Sequence, residues 1–170
     1  MLKFTAMDDA SSSETSLPLL RHAVATIAYR GGKAIRGVPD GFADFSAGKG
    51  MRTPGEILAH IADLFDWATS MTKGKPAWNS GASLPWEEGV KRFFGSIKAF
   101  DDALASAEPS TIPADKLFQG PLADALTHVG QISLLRRLAG GPVRAENYVK
   151  ADIAAGRVGP DQIPPRMEFD

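Results

Sequence analysis

Thr53-Pro54-Gly55-Glu56-Ile57-Leu58-Ala59-His60-Ile61-Ala62-Asp63-Leu64-Phe65 is the stretch on which the fold turns. A threonine ahead of a proline, with a glutamate three residues on, is a capping box. The hydroxyl and the carboxylate each satisfy an N–H that the first helical turn leaves open, and proline in that turn gives up only a donor that would be unpaired anyway. Behind this start Ile57, Leu58, Ile61, Leu64, Phe65 and Ala68 recur at three and four, the period of an amphipathic helix. The pattern stops around Met71 to Lys75, ahead of Pro76.

Working outward, three further helical segments follow the same logic. Upstream, Ser16-Leu17-Pro18 reads as a helix start, and Leu20, Val24, Ile27 and then Ala34 or Ile35 carry its apolar face. Gly31-Gly32 interrupts it, which leaves three readings: a kink, a close helix contact or the true end. Gly37-Val38-Pro39 closes the segment. Downstream, a long loop from Gly74 to Pro85 is able to cross the end of a bundle, so the second and third helices need not be antiparallel. The third helix is expected to start at Ser83-Leu84-Pro85. Its face of Trp86, Val90, Phe93, Phe94, Ile97, Phe100 and Leu104 reads as core packing rather than a cofactor box. The fourth runs from Pro121 to about Ala139, where Gly140-Gly141-Pro142 ends it.

These segments predict an all-α protein, a four-helix bundle over residues 16–141 with a crossover connection between helices two and three. Residues 1–15, polar and without the basic start or apolar stretch of a signal peptide, are expected to form a flexible arm. Residues 142–170 are expected to pack on the bundle as an extension, with a short helix from Glu146 to Ala155 and then an extended strap favoured by Pro160, Pro164 and Pro165.

Composition narrows the chemistry. The 170 residues include no cysteine, which excludes disulfides, thiolate metal sites and a cysteine nucleophile, and suits a reducing compartment. A formal net charge of −1 gives no field to draw the chain to nucleic acid or anionic lipid. The adjacent Arg136 and Arg137 fall where a helix C-terminus favours positive charge. No apolar run is long enough to span a bilayer, and the expected location is the cytoplasm. There is no Gly-x-Ser-x-Gly elbow, no His-Glu-x-x-His and no P-loop; Gly48-Lys49-Gly50 is too short to cradle a phosphate.

The three histidines are His22, His60 and His128. Asp124 and His128 are four apart, so on a helix they stack on one face about 6 Å apart. His60 sits at the edge of the second helix's apolar face. If helices two and four pack, two imidazoles and one carboxylate converge on a single ion and leave positions open. Gln131 could hydrogen-bond a coordinated imidazole, and Asp63 and Trp67, one and two turns past His60, could line the pocket. Plainer readings stand beside this one: His60 as a half-buried histidine with a structural partner, Asp124 as a carboxylate favoured by the helix dipole, and His128 bonded to a neighbouring loop. His22 reads as packing or surface.

The run Ile57-Leu58-Ala59-His60-Ile61-Ala62, together with Thr127-His128-Val129-Gly130-Gln131-Ile132 and Leu135-Arg136-Arg137, resembles the DinB-like superfamily, also described as YfiT-like metal-dependent hydrolases. The likeness covers roughly Leu17 to Gly140, and the tail from Arg144 to Ile153 is similar to that of one branch. It implies a four-helix bundle holding a divalent metal, nickel, zinc, iron or manganese, through a histidine on helix two and a His-x3-His pair on helix four. His60 and His128 match; Asp124 stands where the family has its middle histidine. The resemblance further implies a thiol S-transferase or hydrolase that activates a thiol or water, with a small-molecule substrate that could be a low-molecular-weight thiol, and a homodimer. The alternative is a non-catalytic small-molecule-binding or stress-response protein acting as a homodimer.

Overall fold

The computed structural model describes residues 9–108 and 111–169. Helix α1 spans Asp9–Ile35, α2 Pro54–Thr72, α3 Trp86–Ala105, the short α4 Ala114–Leu117, and α5 Ala123–Leu138. A π-helical turn, Phe118–Leu122, joins the last two, and a 3-10 turn, Phe42–Asp44, precedes α2. Among the described residues there is no strand, only an isolated bridge between Glu146 and Glu168. No helix among them is long and apolar enough to cross a membrane.

Four long helices share one apolar core. Phe65, Phe93, Phe100, Ile27, Leu58, Ile61, Ile97 and Leu104 are among its fully buried side chains, and truncating one of the phenylalanines to alanine would cost about 3–5 kcal/mol. Gly31 and Gly32 mark a close helix contact, because α1 continues through them. A Cβ at Gly31 would lie 2.5 Å from the Phe93 ring, so α3 approaches closer there than any side chain allows. No buried side-chain nitrogen or oxygen among the described residues lacks a hydrogen-bond partner.

The capping box at α2 forms as expected: the Thr53 N–H donates to Glu56 Oε2 at 2.7 Å, and the Glu56 N–H to Thr53 Oγ1 at 3.3 Å. The loop that follows α2 returns along it. The Gly81 N–H donates to the Asp63 carboxylate at mid-helix, and Ser83 lies against Gly55 at the helix start. Gly89 then packs by Leu58, and Phe100 by Phe65.

Three expectations are corrected. Helix α1 starts at Asp9, not Ser16, so its first turns fall in the stretch expected to be an arm; residues 1–8 lie outside the described residues. Pro18 is inside the helix and exposed. Helix α3 begins at Trp86, with Pro85 rather than Ser83 in the capping position and no side-chain cap, because Ser83 is packed over α2. The helix expected at Glu146 to Ala155 does not form. Glu146 is drawn onto α1, accepting from Tyr29 Oη at 2.6 Å and Lys33 Nζ at 2.7 Å. Its neighbours pair in extended form, Asn147 N–H to Met167 O and Phe169 N–H to Ala145 O, and this tertiary clasp overrides local helix propensity. Val158 is buried further along the same segment.

Candidate metal centre

Helix α2 carries His60 two turns beyond its cap, and α5 carries Asp124 and His128 on one face. The two helices pack, and the side chains meet. One ligand atom from each of His60, Asp124 and His128 falls within 4.8 Å of the others. His60 Nε2 is 3.5 Å from Asp124 Oδ2, and His128 Nε2 is 3.4 Å from Asp124 Oδ1. The imidazoles stand edge to face with centroids 4.7 Å apart. Ligands about 2.1 Å from a tetrahedral zinc are themselves separated by about 3.4 Å; each imidazole stands at that spacing from one of the two Asp124 oxygens, and one ligand atom per residue fits within 4.8 Å. Two imidazoles and a carboxylate are a donor set that zinc, nickel, iron and manganese all accept.

The surroundings prepare the imidazoles for that role. Gln131, one turn past His128, places Oε1 2.8 Å from His128 Nδ1. An amide oxygen only accepts, so Nδ1 is the donor in this contact, and Nε2 is the ring nitrogen turned to Asp124. Burial pulls the His60 pKa below the ordinary histidine value; the neighbouring His128 ring and the positive charge of Arg52 add to this, and Asp124 opposes it. A lowered pKa keeps the ring neutral, the form that binds metal. His128 is buried, whereas the Asp124 side chain is 47% exposed, so the cluster opens to solvent on the carboxylate side.

The path of the chain bears on the helix-dipole explanation of Asp124. The backbone is already helical through Leu122, and α4 and the π turn precede it. Asp124 therefore does not stand at a free helix start. Single π turns inside helices are frequent at functional sites, since the wider turn re-aims the side chains that follow.

The other expected residues divide. Gln131 is in place. Asp63 borders the cleft beside His60, but its carboxylate is committed to Arg92 Nη2 at 2.5 Å and to the Gly81 N–H, so it ties the loop and α3 to α2. Trp67 touches Trp78 edge-on, and Trp78 in turn lies edge-on to His60, each at 5.7 Å. Trp67 thus connects to the centre through Trp78. His22 is exposed on α1 and is not among the converging donors. Two residues beside the centre carry no sequence signal. Trp78 and Arg52 both sit in loops, where periodicity marks nothing. A cleft of about 310 Å³ elsewhere, between α1 and the start of α3, is lined by Arg36, Trp86 and Phe94 and has no histidine in its wall.

Comparison of the chain with protein-family models, with curated proteins and with solved structures gives no match.

Proposed function

We propose that this chain is a metal-dependent enzyme of the DinB-like type, a four-helix bundle in which residues 73–85 form the crossover between α2 and α3. The return of that loop along α2, with Gly81 on Asp63, Ser83 by Gly55 and then Gly89 by Leu58, supports the crossover. One observation carries the functional reading: three donor atoms from two helices converge within 4.8 Å, with an amide fixing the tautomer of one imidazole.

His60, Asp124 and His128 would hold one divalent ion, nickel, zinc, iron or manganese. A metal so bound supplies Lewis acidity, which lowers the pKa of a thiol or water and yields a nucleophile at neutral pH. The chain's own residues do the rest. Gln131 holds the His128 proton at Nδ1. Trp78 shields one side of His60 from water. Three protein donors are fewer than a catalytic metal takes, which leaves room for a small-molecule ligand. The reaction class is thiol S-transfer or hydrolysis, carried out in the cytoplasm, with a low-molecular-weight thiol as the first co-substrate to try and a homodimer as the expected assembly.

Elemental analysis of the untagged protein, purified without chelator, tests this against a His128→Ala variant. About one divalent ion per chain, lost in the variant, supports the reading and justifies a thiol-transfer screen. No metal, even after incubation with nickel, zinc or manganese, overturns it in favour of a non-catalytic binding protein.

A further inference from the structure

Two clefts flank the donor cluster. One, of about 330 Å³, is walled by Met51, Ile57, Leu134 and Leu135 and reaches His128. The other, of about 350 Å³, is polar and reaches His60 between Glu56, Asp63 and Ser80. Arg52 lines both and is the residue they share. Each volume lies at the small end of the range for ligand pockets, about 300–1,000 Å³.

Arg52 differs from Arg92 and Arg136. Arg92 is spent on Asp63 and Asp66, and Arg136 on backbone carbonyls. Arg52 makes no hydrogen bond or ion pair among the described residues, and the nearby acids are engaged: Glu56 in the capping box, Asp63 by Arg92 and Gly81. Its guanidinium at the mouth of the cleft therefore has no ion-pair partner among the described residues. The apolar wall is also incomplete. Met51 and Leu134 are 54% and 53% exposed, and Leu138, one turn on, is 57% exposed. A free guanidinium bordering an open hydrocarbon wall beside a reactive centre is complementary to an amphipathic anion.

We propose that this cleft binds a medium-chain organic acid, its carboxylate on Arg52 beside the donor cluster and its hydrocarbon along Met51, Ile57, Leu134 and Leu135. As the substrate class of the centre, the inference rests on the metal-dependent reading; as a binding site, it stands on Arg52 and the apolar wall. A bound acid would place its carboxyl group next to His128 and His60, within reach of the chemistry proposed there.

Calorimetric titration of octanoate and of octanol, a neutral analogue of the same chain length, into wild type, Arg52→Gln, Arg52→Lys and Leu134→Glu tests this. Arg52 and Leu134 are exposed, so the variants fold. Each protein is run with chelator and after nickel loading, and its metal content is read in the same samples. Octanoate is expected to bind at least tenfold more tightly than octanol. Arg52→Gln should abolish that preference, Arg52→Lys should retain part of it, and Leu134→Glu should weaken octanoate about tenfold. Equal binding of acid and alcohol, an unchanged Arg52→Gln, or no octanoate binding in either state overturns the inference. Arg52-dependent octanoate binding in a protein that takes up no metal would overturn the enzyme reading alone. Metal uptake without octanoate binding would overturn the acid site alone.

Discussion

Helix α5 carries a polar cluster toward each end, and the two are built in opposite senses. Near its C-terminus the buried Arg136 guanidinium turns to the end of α1, donating to the carbonyls of Ala34, Arg36 and Gly37 at 2.8–3.0 Å and to Gly141 at 2.8 Å. There a donor is met by acceptors that a helix end leaves open by construction. Near its N-terminus Asp124 and His128 face His60, with the Asp124 carboxylate 3.5 Å from His60 Nε2 and 3.4 Å from His128 Nε2. The first cluster is closed by the chain itself. The second is two imidazoles and a carboxylate that the chain does not close, and burial of His60 disfavours a proton there. A cluster of the first kind holds a fold together; one of the second kind is where a ligand would be sought.

The sharpest way to break that contrast is to open the closed cluster. Arg136→Ala would strand the buried Ala34 carbonyl and free those of Arg36 and Gly37 just past α1, at about 1–3 kcal/mol for each acceptor that water does not reach. The net loss is expected to be about 3–5 kcal/mol, read as a lower urea midpoint. Arg136→Lys should recover less than half, because an ammonium cannot spread donors over a fork of carbonyls. A loss under about 1 kcal/mol would mean that the end of α1 is already wet, and the two clusters would no longer differ in kind.

A smaller effect sharpens the open cluster. Gln131→Ala removes the acceptor that fixes the His128 tautomer, and metal affinity is expected to fall about 10–100-fold. Gln131 is exposed, so stability should stay within about 0.5 kcal/mol. Competitive titration against a chromogenic chelator measures the first, and urea unfolding the second. Unchanged affinity would show that Gln131 only decorates the ring.

What the chain announces in advance is what it encodes locally. The capping box of α2 lies within four residues, and Asp124 and His128 share a face because four residues is close to one turn; both can be read from the sequence without any packing. That α2 and α5 bring His60 to that face needed the packing itself, which only their apolar sides imply. Arg136 reads as a residue at its own helix end, yet its partners stand about a hundred positions away on α1, and no periodicity records such a contact. Glu146 misleads for the same reason. Its local pattern favours a helix, and the distant Tyr29 and Lys33 decide otherwise. Arg52 and Trp78 stand in loops, where function is placed by the ends of the elements on either side.

The smallest expected effect concerns the proton as a rival cation. The folded His60 pKa lies below that of an unfolded histidine, so between the two values the unfolded chain binds more protons than the folded one. Metal-free protein should therefore be stabilised as pH rises through this window. The contribution is complete above the ordinary histidine pKa of about 6.5 and lost as pH falls toward the folded value. Urea midpoints of chelator-treated protein between pH 8 and pH 5 measure the slope, and His60→Gln should flatten it. Metal-loaded protein should show a steeper slope over the same range, since acid must then expel the ion as well as charge the rings. If His60→Gln leaves the metal-free slope intact, the proton is already at home between these three side chains, and the open cluster would be closed by hydrogen ion alone.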